Sequence, residues 1–404
     1  MRILHTADWH LGDKLHGYSR SEELHAQVER IVQLAINRAA DVLLIAGDLF
    51  AEFLRPREID AELQFLSKAF RLYLQTGGVI LAVTGNHDRP PYPDIIRTTM
   101  GLSSPLSQGD VIQPGRFVLT NRAMLGQVAS VHSGRSVQFL LMPYPTPGNY
   151  LDAEEQALDR EQVNRRLRDT FVQQLTKFTT HAKFRVDLPT VMMSHFAVEG
   201  VSPNSLFRLT EQQDVLLPLG NLPSAWAYVA LGHIHQAQAL PGMAHMHYSG
   251  SIARLDFGEM HDEKSVTLVE VGPYGLEGAI ERIPLPCNEL RSIEFDDPET
   301  STEQLRELVP DWESAIVRVM FQGDPRHDGV RRARAKAAFP RVIFPRRQPI
   351  ATEQVSGPAI EVHRNSQASD HDGIVRYLDS QVSDAAERAA LLQLLPQILR
   401  QVSQ

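Results

Sequence analysis

Val42-Leu43-Leu44-Ile45-Ala46-Gly47-Asp48-Leu49-Phe50 is an unbroken apolar run that ends in a carboxylate. Such a run reads as a strand buried on both faces, with Gly-Asp at its carboxyl end. In open α/β sheets, ligands bind at that edge. A buried carboxylate must be paired, hydrogen-bonded or metal-bound, because an isolated charge in low dielectric costs several kcal/mol or loses its ionisation. Asp48 therefore needs partners, and other strand ends offer them.

Ile3–Thr6 is a short apolar strand leading into Ala7-Asp8-Trp9-His10. In an extended segment Asp8 and His10 point to the same side. Residues 19–38 have helical periodicity (Leu24, Val28, Ile31, Leu34, Ala35), with Ser19 and Glu22 expected to form a capping box. Strand, helix, strand is the βαβ signature, which brings Asp8 and Asp48 to the same sheet edge. A second helix is expected from Pro56 to about Thr76, stopped by Gly77-Gly78. Its stripe Ile59, Leu63, Leu66 and Phe70 is widened by Phe65, Leu72 and Tyr73, which fits core packing or a subunit interface.

Val79–Val83 is a third apolar strand, followed by Thr84-Gly85-Asn86-His87-Asp88. Residues 111–142 read as β-hairpin material, and 153–179 as one long polar helix. Val191–Met193 leads into Ser194-His195, and Tyr228–Leu231 into Gly232-His233-Ile234-His235. The strand ends thus collect Asp8, His10, Asp48, Asn86, His195, His233 and His235, expected along one sheet edge. Carboxylates mixed with imidazoles suit Mn²⁺, Fe²⁺ or Zn²⁺ better than Mg²⁺ or Ca²⁺, which prefer all-oxygen shells. Two ions need a bridging ligand, and Asp48 is the natural one. A lone Asp-x-His or Gly-Asp is equally at home as a cap or a core hydrogen-bonding group; the specific signal is Gly-Asn-His-Asp together with Gly-His-x-His, each after an apolar strand.

The composition, 43% apolar and 22% charged over 404 residues, is that of a globular protein with two or three domains. A single cysteine, Cys287, excludes an intrachain disulfide and a cysteine-based metal site. Met1-Arg2 runs directly into the first strand and no apolar run approaches ~18 residues, so a cytoplasmic location without a membrane span is expected. The net charge of −9 gives no global attraction to nucleic acid. It is uneven, however: residues 289–313 carry nine acids against two arginines, and 331–347 carry Arg331, Arg332, Arg334, Lys336, Arg341, Arg346 and Arg347 with no acid. The basic run reads either as a polyanion-binding face or as a solvated helix face. Residues 291–344 alternate strand and helix as in a small α/β module, 347–370 have linker composition, and 371–404 carry two short amphipathic helices suited to docking on a partner.

Asp8-x-His10, Gly47-Asp48, Gly85-Asn86-His87-Asp88, Ser194-His195 and Gly232-His233-Ile234-His235 resemble the calcineurin-like metallophosphoesterase superfamily. The opening His5-Thr6-Ala7-Asp8-Trp9-His10-Leu11-Gly12, and Tyr248-Ser249-Gly250-Ser251, are more closely similar to its SbcD family of bacterial nuclease subunits. That resemblance implies an α/β fold: a four-layer α-β-β-α sandwich over residues 1–285, a small α/β capping and DNA-binding domain over 286–346, a linker over 347–370, and helices over 371–404 that dock on an SbcC-like SMC-type ATPase. It implies two Mn²⁺ ions, the first held by Asp8, His10, Asp48 and His235, the second by Asp48, Asn86, His195 and His233. His87 would serve the leaving oxygen with Asp88 orienting its ring, and Arg331, Arg332, Arg334 and Lys336 would contact DNA. It implies a homodimer through helices near 56–76 and 94–100, and cleavage of duplex ends, single strands or hairpins in DNA repair and recombination. Where relatives often carry a histidine three residues after the bridging aspartate, this chain has Ala51. A small-molecule phosphodiesterase on the same fold, or a mainly architectural DNA-end tether, are the alternatives.

Overall fold

The computed structural model describes residues 1–103, 107–108, 110–201, 215–223 and 225–345. The expected linker and ATPase-docking helices, and Arg346 and Arg347, lie outside the described residues. Residues 1–347 form one compact unit. No helix among the described residues is long and apolar enough to cross a membrane.

Two sheets are stacked. The first has six strands in the order Gly275–Pro284, Ser265–Gly272, Arg2–Thr6, Val42–Ala46, Val79–Val83 and Phe117–Thr120. The last four of these run parallel. The second sheet has eight strands, with Met243–Tyr248, Tyr228–Gly232, Thr190–His195 and Ser136–Met142 adjacent and parallel at its centre. The ligand-bearing ends therefore do not share one sheet edge, as the sequence suggests, but belong to two. Asp8, Asp48 and Asn86 follow strands of the first sheet, and His195 and His233 end strands of the second. Both sheets are parallel here, so apolar periodicity alone cannot distinguish membership of one from membership of the other.

Burial explains the unbroken apolar runs. Ile3, Val42, Leu44, Leu81 and Val83 face the second sheet, meeting Phe139, Leu141, Val191, Met193 and Ala230. The alternate residues Leu4, Leu43, Ile45 and Ile80 pack on Val28 and Ile31 of the helix Ser21–Asn37 and on Ile59, Leu66 and Phe70 of the helix Pro56–Gln75. Beyond the second sheet, Met142, Met192 and Val229 pack on Phe171 and Leu175 of the helix Arg160–Thr179. The result is the four-layer α-β-β-α sandwich. Each fully buried large side chain contributes about 1.5–3 kcal/mol relative to exposure.

Three local expectations change. Ser19 does not cap the first helix, because it pairs with Lys14 in a two-residue ribbon; Arg20 takes the N-cap position without a side-chain cap. The polar helix is broken: Asp159 accepts from the Gln162 amide and starts a new helix at Arg160. On the helix Pro56–Gln75, Tyr73 is core, its hydroxyl donating to the Ala40 carbonyl at 2.9 Å, and Phe65 stacks on His25 at 3.7 Å. Leu72 alone of that wider face stays largely exposed, at 55%.

Residues 290–343 add a parallel three-stranded sheet, Leu290–Glu294, Ile316–Met320 and Val342–Ile343, with helices Thr302–Glu307 and Asp328–Ala338. One face has its own core around Leu305, Val317, Val319, Ala335 and Phe339. The other rests on the sandwich, where Leu290, Ile316 and Ile343 enclose Phe257 and Leu15.

His5 is fully buried, with its Nδ1 2.9 Å from the Tyr228 hydroxyl. Burial, and then the nearby His247, push its pKa down to about 3. The folded state thus refuses a proton that the unfolded chain accepts near pH 6.5, so stability is lost as pH falls from about 6.5 toward 3. In chemical denaturation without metal, His5→Phe is expected to reduce the pH slope across that window by up to about 1.4 kcal/mol per pH unit. An unchanged slope would show that His5 is not the buried neutral group.

Candidate metal centre

The ligand residues sit on backbone that side chains rarely adopt. Asp8, His10, Asp48 and His233 have φ of 53°, 45°, 51° and 95°. Asp and His tolerate the left-handed region better than most residues, yet each such position costs about 1–3 kcal/mol and persists only where surroundings enforce it. Here the Trp9 and His10 amides both donate to the Asp48 carbonyl, at 2.9 and 3.0 Å, folding one ligand loop onto the other.

The glycines before the ligands are required by space. A Cβ on Gly47 would lie 2.1 Å from His195 Nδ1, one on Gly85 2.1 Å from Asp48 Oδ1, and one on Gly232 1.9 Å from the Ala46 carbonyl oxygen. The two sheet edges approach until only hydrogen atoms fit between them.

Around Asp48 the side chains form three overlapping groups, one of them His10, Asp48 and His87. Ligand atoms of Asp8, His10 and His235 lie within 4.8 Å of one another, as do those of Asp8, Asp48 and His195. His195 Nδ1 donates to the Ala46 carbonyl at 2.8 Å, which turns its Nε2 toward Asp48 Oδ2 at 3.3 Å and Asn86 Oδ1 at 3.0 Å. His233 Nδ1 is 3.0 Å from the same Asn86 oxygen and 3.3 Å from His195 Nε2. His10 Nε2 is buried without a hydrogen-bond partner, 3.6 Å from Asp48 Oδ2. Carboxylate, amide and imidazole atoms that converge this closely offer one cluster of ligand atoms to a cation. The donor set, carboxylates with an amide oxygen and imidazoles, fits divalent metal ions.

The charges say the same. Burial raises the pKa of Asp8. Burial also opposes ionisation of Asp48, but His195, and then His10 and His87, more than offset it and hold Asp48 well below the ordinary carboxylate range. Burial drives His10 down to about 3. It would lower His195 and His235 too, yet Asp48 raises the first to about 9 and Glu259 the second to about 9. Groups with shifts this strongly opposed cluster at functional sites.

His87 is near the group, its ring 4.9 Å from that of His10 and its amide donating to Asp48 Oδ1 at 2.9 Å. Asp88 does not orient it. Both Asp88 oxygens accept backbone N–H groups, from Leu49 at 3.1 Å, Phe50 at 2.9 Å and Gly85 at 2.9 Å. Burial, then Asp48, push its pKa up to about 6 against those three bonds. The His87 ring faces Glu52 instead, Nδ1 to Oε2 at 3.4 Å, and Glu52 also pairs with Arg89. Ala51, Phe53 and His87 line a cavity of about 340 Å³ beside the centre.

Arg331, expected on DNA, is structural. It is 3% exposed, and its guanidinium donates to the Asp296 and Asp324 carbonyls and to Asp328. Arg332 lies over the Phe344 ring at 4.8 Å, Arg334 pairs with Glu299 at 3.4 Å, and Lys336 is exposed. Sequence reasoning misses Glu259, whose Oε1 accepts from His235 Nδ1 at 2.7 Å. Its only signal is proximity to the Gly250-Ser251 turn.

Gly85→Ala would drive a methyl into the Asp48 carboxylate. It is expected to weaken divalent-ion binding at least about tenfold. Gly148→Ala, where a Cβ meets nothing, should leave binding unchanged. Mn²⁺ titration followed by electron paramagnetic resonance reads both, and equal affinity for the two variants would refute the steric account.

Residues 1–237 match the family described as calcineurin-like phosphoesterase. The SbcD subunit of the SbcCD nuclease of Rhodobacter capsulatus is 30% identical, over 81% of this chain and 78% of the relative. Its counterpart in Escherichia coli K12 is 27% identical over 76% and 74%, and that in Bacillus subtilis 168 is 30% identical over 68% and 67%. The chain belongs to the calcineurin-like phosphoesterase family of metal-dependent hydrolases, and within it to the SbcD family.

Proposed function

We propose that the chain is a two-metal DNA nuclease subunit that works with an SbcC-like ATPase in processing DNA ends. One observation carries this reading. In a chain of this family, Asp8, His10, Asp48, Asn86, His195, His233 and His235 converge from both sheets on one carboxylate, Asp48. Two divalent ions held there, Mn²⁺ in this reading, would supply charge neutralisation and acidification of water.

The chain's own residues do the rest. Asp8, His10 and His235 would hold one ion and Asn86, His195 and His233 the other, with Asp48 offered to both. His87 stands at the rim and delivers a proton to the leaving oxygen. Asp88 fixes the loop that carries both Asn86 and His87.

DNA phosphates would meet the outer module through Arg332, Arg334 and Lys336. Dimerisation would use the helices Pro56–Gln75 and Tyr92–Ser103, on which Leu72 and Ile95 are 55% and 54% exposed. The ATPase-docking role of residues 371–404 rests on the family resemblance and on their amphipathic pattern.

Purified protein with Mn²⁺ is expected to degrade labelled linear duplex. Turnover of bis-p-nitrophenyl phosphate with DNA left intact would overturn the nuclease reading in favour of a small-molecule phosphodiesterase. Asp48→Ala should abolish binding of both ions together, and Asp8→Ala chiefly one, as counted by metal titration. Reversing Arg332, Arg334 and Lys336 to Glu should flatten the log affinity against log salt plot by about 0.9 for each phosphate no longer neutralised. An unchanged slope would assign that helix to solvent.

A further inference from the structure

Glu259 lies outside every ligand motif, yet it is fully buried beside the metal centre. Its Oε1 accepts from His235 Nδ1 at 2.7 Å, and its Oε2 accepts from Lys264 Nζ at 2.7 Å, from the Leu255 amide at 3.0 Å and from Ser251 Oγ at 3.3 Å. Lys264 Nζ also donates to the His235 carbonyl at 3.0 Å, so the histidine is gripped at its ring and at its backbone. Burial opposes the charge on Glu259, but His235 and then Lys264 hold its carboxyl well below the usual range. With Nδ1 donating to this carboxylate, His235 presents Nε2 toward Asp8 Oδ1, 3.9 Å away. A carboxylate behind an imidazole fixes its tautomer and orientation and raises its basicity toward a metal.

Glu259 ends a three-residue helical turn, Phe257–Glu259, whose first residue faces the other way. Phe257 is enclosed by Leu290, Ile316 and Ile343 of the three-stranded module. The Arg318 guanidinium of the same module sits 4.2 Å from the centre of the Phe257 ring, and its Nε donates to Ser292 at 3.1 Å. The turn is also tied down on its approach: Arg254 donates to the Asp262 and Asn288 carbonyls and to Glu289. One rigid turn thus has the module at one end and a metal-facing histidine at the other.

We propose that Glu259 is the positioning residue for His235, and that the module of residues 290–343, seated on Phe257, sets that position. The inference rests on the two-metal reading of the site. Whatever binds or loads the module, a nucleic acid backbone first of all, therefore tunes the ion held by Asp8, His10 and His235 without touching a ligand. The coupling needs no long path, because Phe257 and Glu259 are two residues apart.

Mn²⁺ binding to the full-length protein, followed by electron paramagnetic resonance of free Mn²⁺, tests it independently of turnover. Glu259→Gln keeps the shape and removes the charge; it is expected to weaken one of two Mn²⁺ sites about 10–100-fold and spare the other, with partial rescue by Glu259→Asp. Arg318→Met and Phe257→Leu are expected to weaken the same site several-fold, while Val330→Ser, on the exposed side of the module, leaves it unchanged. Should Phe257→Leu fail to fold by circular dichroism, Arg318→Met carries the test. Parent-like affinity in Glu259→Gln overturns the positioning role, and parent-like affinity in Arg318→Met overturns the coupling. Asp8→Ala is the control: if it too binds as the parent does, the failure lies in the metal-site reading itself.

Discussion

The hydrogen bond from His195 Nδ1 to the Ala46 carbonyl, 2.8 Å long and fully buried, is the contact on which the centre depends. It joins a strand end of the second sheet to a strand end of the first, immediately before Gly47 and Asp48. The His233 amide on the Asp8 carboxylate at 3.1 Å and the Tyr144 amide on the Thr84 carbonyl at 2.9 Å cross between the same two edges. The His195 bond also selects the tautomer in which the other ring nitrogen faces Asn86 and Asp48. Gly47 and Gly232 are then dictated by distance, since a methyl at either occupies space already taken by the opposite edge, and Gly85 by the Asp48 carboxylate on the neighbouring strand end. Strain at Asp8, His10, Asp48 and His233 is the companion cost, and the surrounding sandwich is large enough to hold it.

Much of this is legible in the chain. Continuous apolar runs identify the parallel strands, and polar residues directly after them identify the candidate ligands, because burial leaves such residues few other uses. What periodicity does not encode is which sheet a strand joins, so a convergence of two edges reads as one. Asp88 shows a second limit. Its place next to His87 in sequence suggests service to that ring, but successive residues point apart, and the backbone amides of Leu49, Phe50 and Gly85 are nearer and need an acceptor. Glu259 shows a third: a carboxylate that supports a ligand from behind reaches its histidine through space, 24 residues along the chain, with no fixed spacing to betray it.

Charge patterning misleads in an instructive way. The acidic stretch 289–313 and the basic stretch that follows look opposed in sequence, but folding interleaves them. Arg334 meets Glu299, while Arg331 is consumed by the Asp296 and Asp324 backbone carbonyls and the Asp328 carboxylate. Acids and bases that alternate in blocks along the chain are neighbours in the α/β module. Arg331 and Arg334 are therefore engaged within the module itself.

Asp88 also constrains how the centre can work in time. Its carboxylate staples the loop after one strand to the loop after the next, so Gly85, Leu49 and Phe50 move as a single piece. His87 can turn about its side-chain bonds, yet its backbone cannot approach or withdraw from Asp48 on its own. The loop that carries Asn86 and His87 is thus joined through one carboxylate to the loop that carries Asp48.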